Sequence, residues 1–213
     1  MYKFVLFDLD GTLTDPGEGI TNSVAYALQK FGISVADKTE LYKFIGPPLK
    51  DSFMKYYGFC ENDALLAIDY YREYFGTKGI FENSVYNGIP ELLENIKNSG
   101  HKVLLATSKP YKYAVEILEH FDLYKYFDFV GGATMDETRN KKADVINYVL
   151  KSCDIKCLSE VIMVGDREQD IIGAKLNDID SIGVLFGYGN REELESAGST
   201  YIANSVDDIF KYL

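Results

Sequence analysis

The run FVLFDLDGTLTD, residues 4–15, ends an apolar stretch in two carboxylates, Asp8 and Asp10, one residue apart and followed by Gly11, Thr12 and Asp15. Packing gives no reason to crowd acids there. Phe4–Phe7 reads as a strand of a parallel sheet, apolar on both faces. Asp8 falls at its carboxyl end, where open α/β sheets build ligand sites. Three more clusters of this kind follow: Thr107 and Ser108 after KVLLAT, Lys142 opening the helical pattern after FDFVGG, and Asp166 with Asp170 in VGDREQD. In a parallel sheet all four converge on one edge. Carboxylates gathered there repel one another unless a cation lies among them. Oxygen donors without clustered cysteine or histidine favour a hard ion, most simply Mg²⁺. A phosphate fits the remaining groups: a hydroxyl from Thr107 or Ser108, a positive charge from Lys142, and backbone N–H groups of the turn Leu9–Gly11. With the repulsion offset by metal and lysine, one aspartate can attack phosphorus and form an acyl-phosphate. The other can protonate the leaving alkoxide and later deprotonate the hydrolytic water.

The elements that must position these groups are legible as apolar runs. After the first come 102–107, 127–132, 161–166 and 181–187, separated by helical stretches near 110–120, 139–152 and 167–177. Strands alternating with helices at this spacing predict crossover connections onto a parallel sheet, an α/β Rossmann-like architecture. Residues 16–82 break the rhythm with helical patterns and a Pro47–Pro48 interruption; in the last of them Leu65, Ile68, Tyr71 and Phe75 fall near helical spacing. The reading is a catalytic core of 1–15 and 83–213 with a helical cap, 16–82, inserted after the first strand as a lid. ANSVDDIFKYL reads as a terminal helix using Ile209 and Leu213 to pack.

Composition narrows the function. Thirty-three acidic against 22 basic residues give a net charge of −11, which disfavours a nucleic-acid polymer as partner. Asp8 and Asp10 interrupt the early apolar stretch, so no signal peptide or membrane span is read, and a cytoplasmic location is expected. Cys60, Cys153 and Cys157 form no CxxC pair, and His101 and His120 are too few for a histidine-rich zinc site. Oligomeric state is not encoded legibly.

At these residues the chain closely resembles the haloacid dehalogenase superfamily of phosphohydrolases. DLDGTLTD matches that family's DxDGTxxD motif, with its hydroxyl motif at Thr107 in LLATSKP, its lysine motif at Lys142 in KKADVI, and its acidic motif at Asp166 and Asp170. The resemblance implies Asp8 as nucleophile and Mg²⁺ ligand, and Asp10 as general acid/base that also binds the metal through its carbonyl. It implies Thr107 and Lys142 on the transferring phosphoryl group, Asp166 on the metal, and Asp170 on it directly or through water. Lys141 competes for the lysine role, since the lysine–proline pair common among relatives is lacking; spacing to Val145 and Ile146 favours Lys142. The pair Asp8 and Asp10 points to phosphate rather than haloacid chemistry. The insertion resembles the small cap of phosphoglycolate phosphatase-like members and related nucleotidases, with Ile45, Gly46, Lys50 and Arg72 as candidate specificity residues.

The expectation is therefore a Mg²⁺-dependent phosphomonoesterase acting on a small phosphorylated metabolite. Phosphoglycolate leads, for which Lys50 or Arg72 would supply a cationic pocket. A 5′-nucleotidase is the alternative, for which Phe53, Tyr56 or Tyr57 would supply a stacking surface. A phosphosugar mutase stays open. A receiver-like phosphoacceptor fits worse, because VGGATMDE carries no terminal aspartate after the third strand and that fold has no use for the insertion.

Overall fold

A computed structural model describes residues 1–136 and 138–213. The chain divides into two compact units, Met1–Asp15 with Val85–Leu213, and Pro16–Ser84. Along the chain run β1 (Phe4–Phe7), β2 (Thr14–Asp15), α1 (Gly17–Lys30), α2 (Leu49–Tyr57), α3 (Glu61–Tyr74) and β3 (Ser84–Val85). Then follow α4 (Ile89–Asn98), β4 (Lys102–Pro110), α5 (Tyr111–His120), β5 (Phe129–Ala133), α6 (Lys142–Ser152), β6 (Val161–Gly165), α7 (Glu168–Leu176), β7 (Asp180–Val184), α8 (Arg191–Ala197), β8 (Tyr201–Ala203) and α9 (Val206–Ile209).

The first unit is an α/β layer structure around a six-stranded sheet of order β5-β4-β1-β6-β7-β8, every pair parallel. Strand β1 sits inside the sheet, Phe4–Phe7 aligned with Lys102–Leu105 on one side and Val161–Val164 on the other. Its Val5, Leu6 and Phe7 are fully buried, as a strand covered on both faces requires. Leu6, Leu104, Val161 and Met163 meet Val145, Ile146, Val149 and Ala174 in one core cluster, which locks α6 and α7 to the sheet and fixes the start of each helix near the strands' carboxyl ends.

Three features differ from the sequence reading. Helix α4 and the short edge strand β8 join the expected elements, and the terminal segment begins with β8 before α9. Ile209 is buried as expected. In α3 the buried stripe is Ala64, Ala67, Ile68 and Tyr71, continuing to Phe75, while Leu65 is exposed. Alanines mark the inner face because close packing against α1 leaves room for little more.

In the second unit an aromatic cluster forms the packing centre. Phe44 lies 5.0 Å from Phe53 between ring centroids, and Phe53 stacks on Phe59 at 5.8 Å. Phe31 closes on Phe59 at 4.6 Å. Among the described residues, no helix is long and apolar enough to cross a membrane.

Candidate active site

Asp8 is the first residue past β1, and its N–H donates to the Val164 carbonyl at 2.9 Å, so the ladder holds it in place. Asp166 and Asp170 follow β6, one before α7 and one in its first turn. Each of these three carboxylates is buried, and one oxygen from each lies within 4.8 Å of the others. Lys142, the first residue of α6, reaches two of them. Its Nζ is 2.7 Å from Asp8 Oδ1 and 2.9 Å from Asp170 Oδ1, and donates to the Ala106 carbonyl at 3.0 Å. Asp8 Oδ1 and Asp170 Oδ1 receive no aligned hydrogen bond, so the contacts to Lys142 are ion pairs that leave directional lone pairs without a donor. Lys141 is exposed as the residue capping α6. Between the two lysines, burial and contacts single out Lys142.

Burial dominates the electrostatics. It raises the Asp166 carboxyl well above the usual range, and repulsion from Asp170 and Asp8 adds to it. The Asp170 carboxyl is pushed up to about 6 by burial, with the Lys142 ammonium opposing and Asp8 reinforcing. For Lys142 burial disfavours the charged form, yet Asp170 and Asp8 together outweigh it and hold the ammonium above its ordinary value. The group is therefore short of positive charge. Four buried acids, Asp8, Asp10, Asp166 and Asp170, face two buried lysines, Lys142 and Lys109. A hard divalent cation suits that deficit and that all-oxygen donor set.

Asp10 has gone elsewhere. Its carboxylate is held by Lys109, whose Nζ donates to Oδ1 at 2.8 Å and to Oδ2 at 2.6 Å. Burial still raises the Asp10 carboxyl, against the opposing effect of Lys109. Thr107 is buried two residues before Lys109, its Oγ1 accepting the Lys109 N–H at 3.2 Å; Ser108 is half-buried. In the turn after β1, one of the N–H groups expected to face a phosphate is engaged within the turn. Leu9 is fully buried, its carbonyl accepting from Leu13 and Thr14, and the Gly11 N–H donates to the Thr14 carbonyl at 2.8 Å rather than facing outward. Gly11 matters sterically: it adopts φ +80°, and a Cβ there would lie 2.2 Å from Asp166 Oδ2.

Several contributors had no claim from the sequence. Lys109 stands two residues after Thr107 in LLATSKP, and only its position at a strand end could have marked it. Thr12 Oγ1 donates to Asp166 Oδ1 at 3.3 Å, and the Tyr188 N–H donates to Asp166 Oδ2 at 2.8 Å. The Tyr188 hydroxyl donates to Asp15. Gly187 lets this loop press on the acid, since a Cβ there would fall 2.4 Å from the Asp166 Cβ.

The four candidate specificity residues lie in the helical unit. Ile45 is fully buried, and Gly46 turns the chain with φ +101°. Lys50 pairs with Glu61 at 3.0 Å, and Arg72 is half-buried on α3. Phe53 is fully buried in the aromatic cluster and so offers no stacking face, whereas Tyr56 and Tyr57 are half-buried.

Comparison with known proteins agrees with this geometry. The family model described as haloacid dehalogenase-like hydrolase matches residues 5–184. The chain is 45% identical over 200 residues to a 5′-nucleotidase of Pseudomonas aeruginosa, covering 94% of this chain and 90% of that protein. It is 27% identical over 218 residues to a phosphoglycolate phosphatase of Vibrio parahaemolyticus, covering 98% and 95%. The crystal structure of a predicted phosphatase from Clostridium acetobutylicum superposes with a TM-score of 0.98 at 54% identity, covering 100% of this chain and 98% of that one. An acid-rich strand edge in this sheet order, matched along most of the chain, settles its kinship: this protein belongs to the haloacid dehalogenase-like hydrolases and is a phosphatase of that family.

Proposed function

We propose that the protein hydrolyses phosphomonoesters through a phosphoaspartate on Asp8, with Mg²⁺ as cofactor. The observation that carries the reading is the separation of Asp8 from Asp10: one shares a buried lysine with Asp170, the other is held by a different lysine. Two neighbouring acids in two such environments suit two duties. An Asp8 carboxylate oxygen attacks phosphorus and the ester P–O bond breaks; the departing alkoxide takes a proton from Asp10. Asp10 then accepts a proton from the incoming water as its oxygen bonds to phosphorus, and the bond to Asp8 breaks, returning the carboxylate. Lys142 fixes Asp8 and offsets charge on the phosphoryl oxygens, and Thr107 donates its hydroxyl to them. Asp8, Asp166 and Asp170 would hold the metal, together with the Asp10 carbonyl. When bound, Mg²⁺ supplies the positive charge that lets an anionic nucleophile and a phosphate dianion approach.

We assign leaving-group selection to the helical unit and place nucleoside 5′-monophosphates first. The 5′-nucleotidase is the more similar of the two named relatives. Lys50, one of two cations that a small carboxylated substrate would call on, is already matched by Glu61. Tyr56 and Tyr57, half-buried with Phe44 and Lys43 against their rings, keep part of their aromatic surface for a base. The test is inorganic phosphate release from nucleoside monophosphates, phosphoglycolate and sugar phosphates, with Mg²⁺ and with chelator, for wild type and Asp8→Asn. Metal-dependent release lost in Asp8→Asn, greatest with nucleoside monophosphates, is expected. Release surviving in Asp8→Asn rules out the phosphoaspartate, and a preference for phosphoglycolate overturns the substrate order.

A further inference from the structure

We infer that Lys109 is a positioning residue acting through Asp10: it holds that carboxylate apart from the three-acid group and so reserves it for proton transfer. This rests on the phosphatase reading above. Three observations lead there. Both Asp10 oxygens are engaged by one Nζ, which fixes the plane of the carboxylate as well as its place. The acids able to share a cation are Asp8, Asp166 and Asp170, and Asp10 is not among them although it lies only two residues from Asp8. The backbone is also built to aim Lys109. Pairing of β4 with β5 shifts register between Thr107 and Pro110, so Thr107 aligns with Gly132 and Pro110 with Ala133. Such a bulge re-aims the side chains within it. Gly132 permits it, since a Cβ there would come within 2.7 Å of Tyr111 Cα and 2.9 Å of the Lys109 carbonyl.

Stability alone explains this arrangement poorly. A buried ion pair gains little over apolar residues of similar volume, because both charges must leave water. What the pair does accomplish is geometric. An acidic side chain this close to a group short of positive charge would otherwise be drawn toward the same cation, and Lys109 competes for it.

The experiment separates proton transfer from everything else by the leaving group. First-turnover release is measured with the full chain in Mg²⁺ on p-nitrophenyl phosphate, whose leaving group departs without a proton, and on a nucleoside 5′-monophosphate, whose alkoxide needs one. The first turnover is used because later hydrolysis of the Asp8 ester also calls on Asp10. Lys109→Met is expected to slow nucleoside release by about 10²-fold or more, the usual scale of general acid catalysis, and nitrophenolate release by less than about tenfold. Lys109→Arg should recover part of the loss, and adding Lys109→Met to Asp10→Asn should cost nothing further. Equal slowing of both substrates overturns the inference, as does a further loss in the Asp10→Asn background. Lys109→Gln carries the same test if Lys109→Met does not fold. A wild type that releases neither product overturns the phosphatase reading and this inference together.

Discussion

Asp170 lets the electrostatics of the site be read as stability. Its carboxyl moves from an ordinary value of 3.8 to about 6 in the folded protein, chiefly through burial. The folded state then holds this proton more tightly than the unfolded chain does. The resulting stability is present at low pH and lost as the pH rises through the folded value, the opposite of an ordinary salt-bridged aspartate. At about 1.4 kcal/mol per pH unit the whole effect is about 3 kcal/mol, of which about 2 kcal/mol falls between pH 4.5 and 7. Asp170→Asn removes the titration at little change in volume. Urea unfolding of the chelated protein across that range should show the wild type losing about 2 kcal/mol more than Asp170→Asn as the pH rises. Mg²⁺ at about 100 times its dissociation constant should return about 2.7 kcal/mol to the wild type at pH 7. It should return less at pH 4.5, where protons compete for the same oxygens. Equal pH slopes for the two proteins, or a wild type that gains stability with pH relative to the variant, would refute the assignment of this charge deficit to Asp170.

Lys142→Met strips the counter-charge from Asp8 and Asp170 and should cost about 3–5 kcal/mol in chelated protein at neutral pH. The cost should shrink toward pH 5 as carboxyls protonate, and urea denaturation at the two pH values checks both statements. Gly11→Ala should lose about 1–2 kcal/mol from its left-handed backbone alone. Because the new Cβ would displace Asp166, the thermal shift on adding Mg²⁺ should also largely vanish; a shift equal to that of wild type would show that Asp166 does not hold the metal.

The charged half of this site was legible because it contradicts its surroundings. Asp8, Asp166 and Lys142 each follow an apolar run or open a helix where packing asks for nothing ionic, and alternating strands and helices brought those ends to one edge. Lys109 was hidden by a local irregularity: a bulge changes where a side chain points without altering the residues that flank it. The Gly132 that permits the bulge reads in FVGG as ordinary strand glycine. Gly187 and Tyr188 were out of reach for a different reason, since their contact with Asp166 joins the loop after β7 to the end of β6 and leaves no periodic trace. Leu65 misled because hydrophobicity outranked size; on α3 the inner face belongs to alanine. Strand β8 was too short for alternation to register.

Strand β1 aligns with residues 102–105 and 161–164, and that order has a consequence for the nascent chain. At roughly 5–20 residues per second, Asp170 is polymerised about 8–30 s after Asp8. Within that interval the run FVLF has one strand edge unpaired until residues 102–105 are made and the other until 161–164 follow. Asp8 gains Lys142 between those two strands, and Asp166 and Asp170 last. Pro16–Ser84 is already complete in sequence and compact in itself, so it can form while the sheet waits. On the proposed mechanism, the residue that attacks phosphorus is among the first made and its partners are among the last, which ties the onset of activity to the end of folding.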